Sequence, residues 1–361
     1  MGKMIRVLIV DDSELVQAVL QSILGSDPEL EVVGAAANGH QAVDLTRTLR
    51  PDVIVMDINM PELGGLGATE RIMAYHPTPI LVLTSMDRAD VAFEALSRGA
   101  LDVIEKPELD DEKCRELLRR IKLSAGVRVV THIAGRRTPM ELPESVDPGP
   151  PASGPSRPAT LAPPRAAGLP RPGRVVGIGS STGGPQVLGQ ICQALPADFP
   201  GAILMVQHIA EGFVPVLTDW LHGSSRIRVK EAEDGEALEG GVAYIAPSNL
   251  HLQVTGNRIA LEDGPPMGGH RPSVDALLSS IARKCGKEGM GIILSGMGRD
   301  GARGLREIRQ AGGFTMAQAE ETCVVYGMPK AAVELDGVSR VLDPQGIAGE
   351  MQRRVQQGER R

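Results

Sequence analysis

A chain of 361 residues is long enough for two ordinary domains, each with its own core. Its formal net charge of −7, with no block of Lys or Arg along one face, argues against a protein whose affinity rests on neutralising nucleic-acid phosphates. Cys114, Cys192, Cys285 and Cys323 stand far apart in no zinc or redox spacing, and no apolar run reaches bilayer length, so the chain reads as reduced, cytoplasmic and not membrane-embedded.

The first apolar run, Ile5 to Val10, is cut off by Asp11 and Asp12, which makes it a strand and not a signal peptide. Further apolar runs follow over 31–36, 52–56, 79–84 and 100–105, with amphipathic helical patterns between them. Such alternation predicts a parallel, doubly wound sheet. In these sheets ligands gather beyond the carboxyl ends of the strands. Asp11 and Asp12 end the first run, Asp57 the third, Thr84 the fourth, and Lys106 follows the fifth. Three carboxylates on one edge repel each other and call for a cation, and their hard oxygens suit Mg²⁺. A carboxylate beside such a cation can attack a phosphoryl donor and become an aspartyl phosphate, with Thr84 and Lys106 holding the phosphoryl oxygens. Any one acidic residue at a strand end is more simply a turn or cap residue; the order of all five points to a phospho-acceptor site.

Residues 126–172 contain eleven of the 27 prolines and no Phe, Tyr or Trp. That composition cannot build a core, and it predicts an extended tether between domains 1–125 and 173–361.

Beyond the tether, strand-like runs cover 174–179, 202–207, 242–246, 290–296, 314–319 and 338–342, again with helical patterns between them. Residues 251–261 alternate across Gly256-Asn257 and predict an antiparallel hairpin. The fold class is therefore α/β, with two doubly wound domains, the second mostly parallel with an antiparallel appendage.

The run 174–179 leads into Ser180-Ser181-Thr182-Gly183-Gly184-Pro185 and then a helical pattern. Gly179 and Gly183 frame Ser181 as G-x-S-x-G on a strand-to-helix turn, where a serine hydroxyl is exposed beside free helix N–H groups. Alone, this turn equally suits a helix cap or a phosphate site. A P-loop needs a lysine that is missing, and a dinucleotide site wants an acid after the next strand, where His208 stands instead. His208 and Asp300 both follow strand-like runs, so they join Ser181 on one sheet edge as base and orienting carboxylate. A rival wiring joins Ser181 to Asp263 and His270; it is less favoured because Asp263 falls on the hairpin. His222 and His251 are expected on the surface or in loops.

Two resemblances follow from these residues. Asp11-Asp12, the segment Asp57-Ile58-Asn59-Met60-Pro61, Thr84 and Lys106-Pro107 resemble the receiver domain of two-component response regulators over about residues 4–123. This resemblance implies a flavodoxin-like fold, phosphorylation of Asp57 by a histidine kinase, and Mg²⁺ held by Asp12, Asp57 and the Asn59 carbonyl. Val103 stands where such domains often carry an aromatic switch residue.

The Ser180–Pro185 turn, Gln207-His208, the segment His270–Asp275 and the segment Gly296–Gly301 resemble the chemotaxis-specific protein-glutamate methylesterases, the CheB family. That implies hydrolysis of glutamyl methyl esters on chemoreceptor cytoplasmic helices, releasing methanol, and often deamidation of receptor glutamines, with no cofactor for the esterase. It assigns catalysis to Ser181, His208 and Asp300, supporting positions to Thr182 and Met297, and a place at the substrate mouth to His270. It also implies control by a receiver that, unphosphorylated, packs over the edge carrying Ser181. Ser180 is a small departure, since alanine is common there.

Overall fold

The computed structural model describes residues 4–84, 89–106, 111–127, 129 and 174–359. Pro107 and all but the first residues of the 126–172 tether lie outside these.

The N-terminal sheet has strands β1 (Ile5–Val10), β2 (Leu30–Ala36), β3 (Val53–Asp57), β4 (Ile80–Thr84) and β5 (Asp102–Glu105). They run parallel in the order β2-β1-β3-β4-β5. Helices α1 (Glu14–Gly25), α2 (Gly39–Leu49), α3 (Gly65–Tyr75), α4 (Ala89–Ser97) and α5 (Asp111–Ser124) alternate with them. All five residues of β3 and of β4 are buried, as helices on both faces require.

The second sheet has seven parallel strands in the order β14-β13-β12-β6-β7-β9-β8. They are β6 (Val175–Ser180), β7 (Ala202–Gln207), β8 (Arg228–Glu231), β9 (Val242–Ile245), β12 (Gly289–Ile293), β13 (Phe314–Gln318) and β14 (Arg340–Leu342). The strands β10 (His251–Thr255) and β11 (Arg258–Glu262) pair antiparallel as a separate hairpin around Gly256-Asn257. Helices α6 (Gly184–Ala194), α7 (Phe213–Ser224), α8 (Val274–Cys285), α9 (Ala302–Gln310), α10 (Met328–Glu334) and α11 (Pro344–Glu359) complete this half. The sequence reading misses β8, Arg228-Val-Lys-Glu, because only Val229 of its four residues is fully buried. A charged edge strand resists pairing with other chains and carries little apolar signal.

The two halves touch through α4 and α7. Phe93 on α4 is fully buried, with its ring 6.4 Å from that of Phe213 and 6.0 Å from that of Trp220. These are aromatic contact distances.

Candidate active site

Each sheet places its chemistry where strand order reverses. In the first, β1 lies between β2 and β3, so crossovers leave it in both directions and open a crevice beyond the strand ends. Asp11 and Asp12 follow β1, and Asp57 closes β3. One oxygen from each comes within 4.8 Å of the others. Asp11 and Asp57 are buried, whereas Asp12 is exposed. Lys106 Nζ reaches both buried carboxylates, at 2.9 Å from Asp11 Oδ2 and 3.2 Å from Asp57 Oδ1.

Burial raises the Asp57 carboxyl above its usual range; Lys106 pulls it back, but the Asp11 charge adds to the rise and the shift persists. Burial alone would lower the Lys106 ammonium; its contacts with Asp11 and Asp57 outweigh this and hold it above its usual range. Thr84 is buried at the end of β4, and its carbonyl accepts the Lys106 N–H at 2.8 Å. Asn59 is exposed just beyond Asp57. Three hard carboxylates with one nearby ammonium form an acidic set that fits Mg²⁺. Val103 is buried within β5, so an aliphatic side chain holds the expected switch position.

In the second sheet β6 stands between β12 and β7, the same reversal. Ser181 follows β6, His208 follows β7, and Asp300 lies in the loop from β12 to α9. Three adjacent strands thus deliver the three side chains to one crevice. Gly183 turns the chain from β6 into α6 at φ +75°, a conformation that favours glycine. Gly296 is required for a different reason: a Cβ there would lie 2.8 Å from Ser181 Cβ and 2.4 Å from the Met328 sulfur. The loop carrying Met297 therefore sits directly against Ser181.

Ser181 is 8% exposed, and its hydroxyl makes no hydrogen bond among the described residues. Its N–H donates to Ser295 O at 3.0 Å, and its carbonyl accepts from Gly184 N–H at 2.7 Å. The Ser295 hydroxyl donates to Thr182 O at 2.8 Å and accepts from Val325 N–H at 3.0 Å. The main-chain N–H groups of Thr182 and Met297 make no hydrogen bond among the described residues, which leaves them available to an oxyanion.

His208 Nε2 lies 3.0 Å from Asp300 Oδ2, within ion-pair reach but too bent for a good hydrogen bond. Its Nδ1 is buried without a hydrogen-bond partner. The His270 ring stacks on it with centroids 4.1 Å apart and planes 7° from parallel. Asp300 is anchored at the N-terminus of α8: Oδ1 accepts from Ser273 Oγ at 2.8 Å and Asp275 N–H at 2.9 Å, and Oδ2 accepts from Val274 N–H at 2.7 Å. Burial would raise this carboxyl, but His208 and the N–H groups of Asp275 and Val274 outweigh it and hold Asp300 below its usual range. An anion at a helix N-terminus also faces the positive end of the helix dipole.

The rival wiring does not form. Asp263 is exposed and pairs with Arg271 at 2.5 Å, while His270 faces His208. His222 is exposed, as expected. The expectation for His251 is overturned: it is 3% exposed on β10. Its Nδ1 accepts Ser273 N–H at 3.2 Å, so Nε2 carries the hydrogen and donates to Pro265 O at 3.1 Å. It braces the cap that holds Asp300.

Ser273 and Ser295 hold candidate site residues in place, and sequence reasoning passed over both. Ser273 had a signal, since a serine directly before an amphipathic run is an N-cap, and its hydroxyl indeed faces Ala276 N–H at 3.4 Å. Ser295 joins loops far apart in the chain and leaves no local pattern.

The CheB methylesterase family model matches residues 176–351, and the response regulator receiver domain model matches residues 7–122. A protein-glutamate methylesterase/protein-glutamine glutaminase 2 of Anaeromyxobacter dehalogenans is 45% identical over 342 residues, covering 94% of this chain and 93% of the relative. The chain belongs to the CheB methylesterase family. A protein-glutamate methylesterase/protein-glutamine glutaminase of the group 3 operon of Rhodopseudomonas palustris is 41% identical, covering 96% of this chain and 95% of that protein. One from Syntrophus aciditrophicus is 40% identical, covering 96% and 97%. The receiver match thus stands N-terminal to the esterase match, in the order that the two sheets show here.

Proposed function

We propose that this enzyme hydrolyses methyl esters of glutamate side chains in chemoreceptors, releasing methanol, and that phosphorylation of its receiver controls the rate. Residues 1–125 form the receiver, 126–172 the tether and 173–361 the esterase. Relatives named for both methylesterase and glutaminase activity extend the reading to receptor glutamines. The observation that carries it is the arrival of Ser181, His208 and Asp300 at three neighbouring strand ends, with Asp300 Oδ2 3.0 Å from His208 Nε2.

With Nε2 facing Asp300, Nδ1 is the nitrogen left to serve Ser181. It takes the Ser181 hydroxyl proton as the oxygen attacks the ester carbonyl. The resulting oxyanion is met by the N–H groups of Thr182 and Met297, each such donor being worth about 3–4 kcal/mol. The proton passes from His208 to the departing methoxide, which leaves as methanol. Water then gives a proton to His208 and attacks the acyl-serine, and His208 returns that proton to the departing Ser181 oxygen, freeing the glutamate. A glutamine side chain follows the same course with ammonia leaving. Asp300 offsets the charge that His208 gains, and the His270 ring covers one face of the imidazole.

In the receiver, Asp57 attacks the phosphoryl group presented by a histidine kinase, and Lys106 and Thr84 hold its oxygens. Asp11, Asp12, Asp57 and the Asn59 carbonyl would hold Mg²⁺, which when bound neutralises phosphoryl charge. The contact of α4 with α7, the helix that follows the His208 loop, supports control by packing. A coupling of about 1–3 kcal/mol would give about 5- to 150-fold control. The setting is the cytoplasm; among the described residues no helix is long and apolar enough to cross a membrane.

Methanol release from methylated receptor tests this, with and without a small phosphodonor and Mg²⁺. Wild type should respond to the donor, Asp57→Ala should not, and Ser181→Ala should release nothing above background. Methanol release unchanged by Ser181→Ala would overturn the assignment.

A further inference from the structure

Gln207 ends β7 and is 5% exposed, and every polar atom of its side chain is engaged. Nε2 donates to the carbonyls of Ser181 and of His208, both at 2.9 Å. Oε1 accepts from Ser180 Oγ at 2.6 Å. The amide can face only one way here, because two carbonyl oxygens require its two N–H donors. The Ser180 hydroxyl donates the bond that Oε1 accepts, so the buried amide oxygen is satisfied as well. A second link runs alongside, from His208 N–H to Ser180 O at 2.9 Å. The space is closed from above: a Cβ on Gly184 would lie 2.3 Å from Gln207 Oε1 and 2.7 Å from Ser180 Cβ.

We infer that Gln207 is a positioning residue that sets the separation between nucleophile and base, with Ser180 satisfying its amide oxygen. Ser181 and His208 stand on different loops. Their carbonyls share one NH₂ group, so the two loops cannot shift independently without leaving a buried polar atom unpaired. Alanine at position 180 would leave the buried Oε1 of Gln207 without its donor. This inference rests on the reading of Ser181 and His208 as nucleophile and base, though not on the identity of the ester. A misplacement of about 1 Å at reacting atoms costs about 100-fold in rate.

The test uses the full-length protein with two readouts: methanol release, and the rate at which a fluorophosphonate probe phosphonylates Ser181 with loss of fluoride. The probe reports the alignment of Ser181 with His208 whichever ester is the substrate. Gln207→Met keeps the volume and removes both donors; kcat and the labelling rate should fall about 100-fold with KM nearly constant. Gln207→Glu sets a carboxylate against two carbonyl oxygens, and a buried carboxylate takes up a proton more readily than a free one. Its activity relative to wild type should therefore rise as pH falls from about 8 to about 6, since a protonated Glu can donate one of the two bonds. A residue that only filled space would not produce that trend. Ser180→Ala, the mildest change, should slow both readouts about 3- to 10-fold, and it tests the idea if the other variants do not fold. Wild-type labelling rates in Gln207→Met or Ser180→Ala, or a pH-independent ratio in Gln207→Glu, would overturn the inference. Normal probe labelling with no methanol release would instead overturn the choice of substrate.

Discussion

Replacing Asp300 by asparagine separates the charge of this side chain from its shape. The carboxylate accepts three hydrogen bonds, from Ser273 Oγ, Val274 N–H and Asp275 N–H, while Oδ2 faces His208 Nε2. An asparagine keeps one acceptor oxygen. If that oxygen takes the Ser273 and Asp275 donors, its NH₂ group points at the Val274 N–H and at His208, donor against donor. The larger loss falls on the reaction, because His208 becomes a cation when it accepts the Ser181 proton. Unit charges about 4 Å apart at an effective dielectric near 20 interact by about 4 kcal/mol. At about 1.4 kcal/mol per factor of ten, kcat should fall about 1000-fold. KM should change little, since Asp300 is buried behind His208. Losing a capping acceptor at α8 should also cost about 1–2 kcal/mol of stability, seen as a lower urea midpoint. The assay is methanol release at saturating substrate, paired with urea unfolding. If Asp300→Asn keeps more than about a tenth of wild-type kcat, Asp300 is a structural cap and not the counter-charge of His208.

Two further outcomes follow from the same forces. Asp57 has a raised carboxyl, so its folded-state pKa exceeds the unfolded value, and the stability it contributes is present below the unfolded pKa and lost as pH rises through the folded one. Asp57→Asn should therefore raise the thermal midpoint of the receiver near neutral pH in the absence of Mg²⁺, as read by calorimetry; a lowered midpoint would contradict the assigned balance of burial and charge. Phe93 is buried between Phe213 and Trp220, so Phe93→Ala should weaken the α4–α7 contact and raise unphosphorylated esterase activity toward that of residues 173–361 alone. Unchanged basal activity would show that this contact does not restrain the enzyme.

The legible part of this molecule is what a repeating physical pattern writes into local sequence. Buried parallel strands need continuous apolar runs, and the residues just beyond them must be polar, so Asp57, Thr84, Ser181 and His208 could be placed on strand ends without coordinates. Asp300 was legible by the same logic, although its loop runs seven residues past Ile293. The features that failed to show depend on contacts between distant segments. His251 looks like any polar residue at the start of a hairpin; only the fold reveals that it is buried and bonded to Ser273. The helix α8 lends Asp300 its N-terminal N–H groups, a use of the backbone that leaves no side-chain signature.

The route from Asp57 to Ser181 belongs to this second kind, and here Val103 matters. A buried valine has no ring to swing between buried and exposed positions, so the aromatic at the interface must be sought elsewhere. The structure offers Phe93 on α4, the helix that follows the β4 strand ending at Thr84, and Phe93 packs on the helix that follows His208. Lys106 links the same edge, bonding through its backbone to Thr84 and through its ammonium to Asp57. A phosphoryl group on Asp57 would meet Lys106 and Thr84 at the end of β4, the strand that precedes α4 in the chain. If the α4–α7 contact carries the control, it does so without an aromatic at position 103. A double-mutant cycle can test this coupling: if Phe93→Ala and phosphorylation act through the same contact, phosphodonor should stimulate the Phe93→Ala enzyme much less than wild type. Full stimulation of the mutant would place the coupling outside α4 and α7.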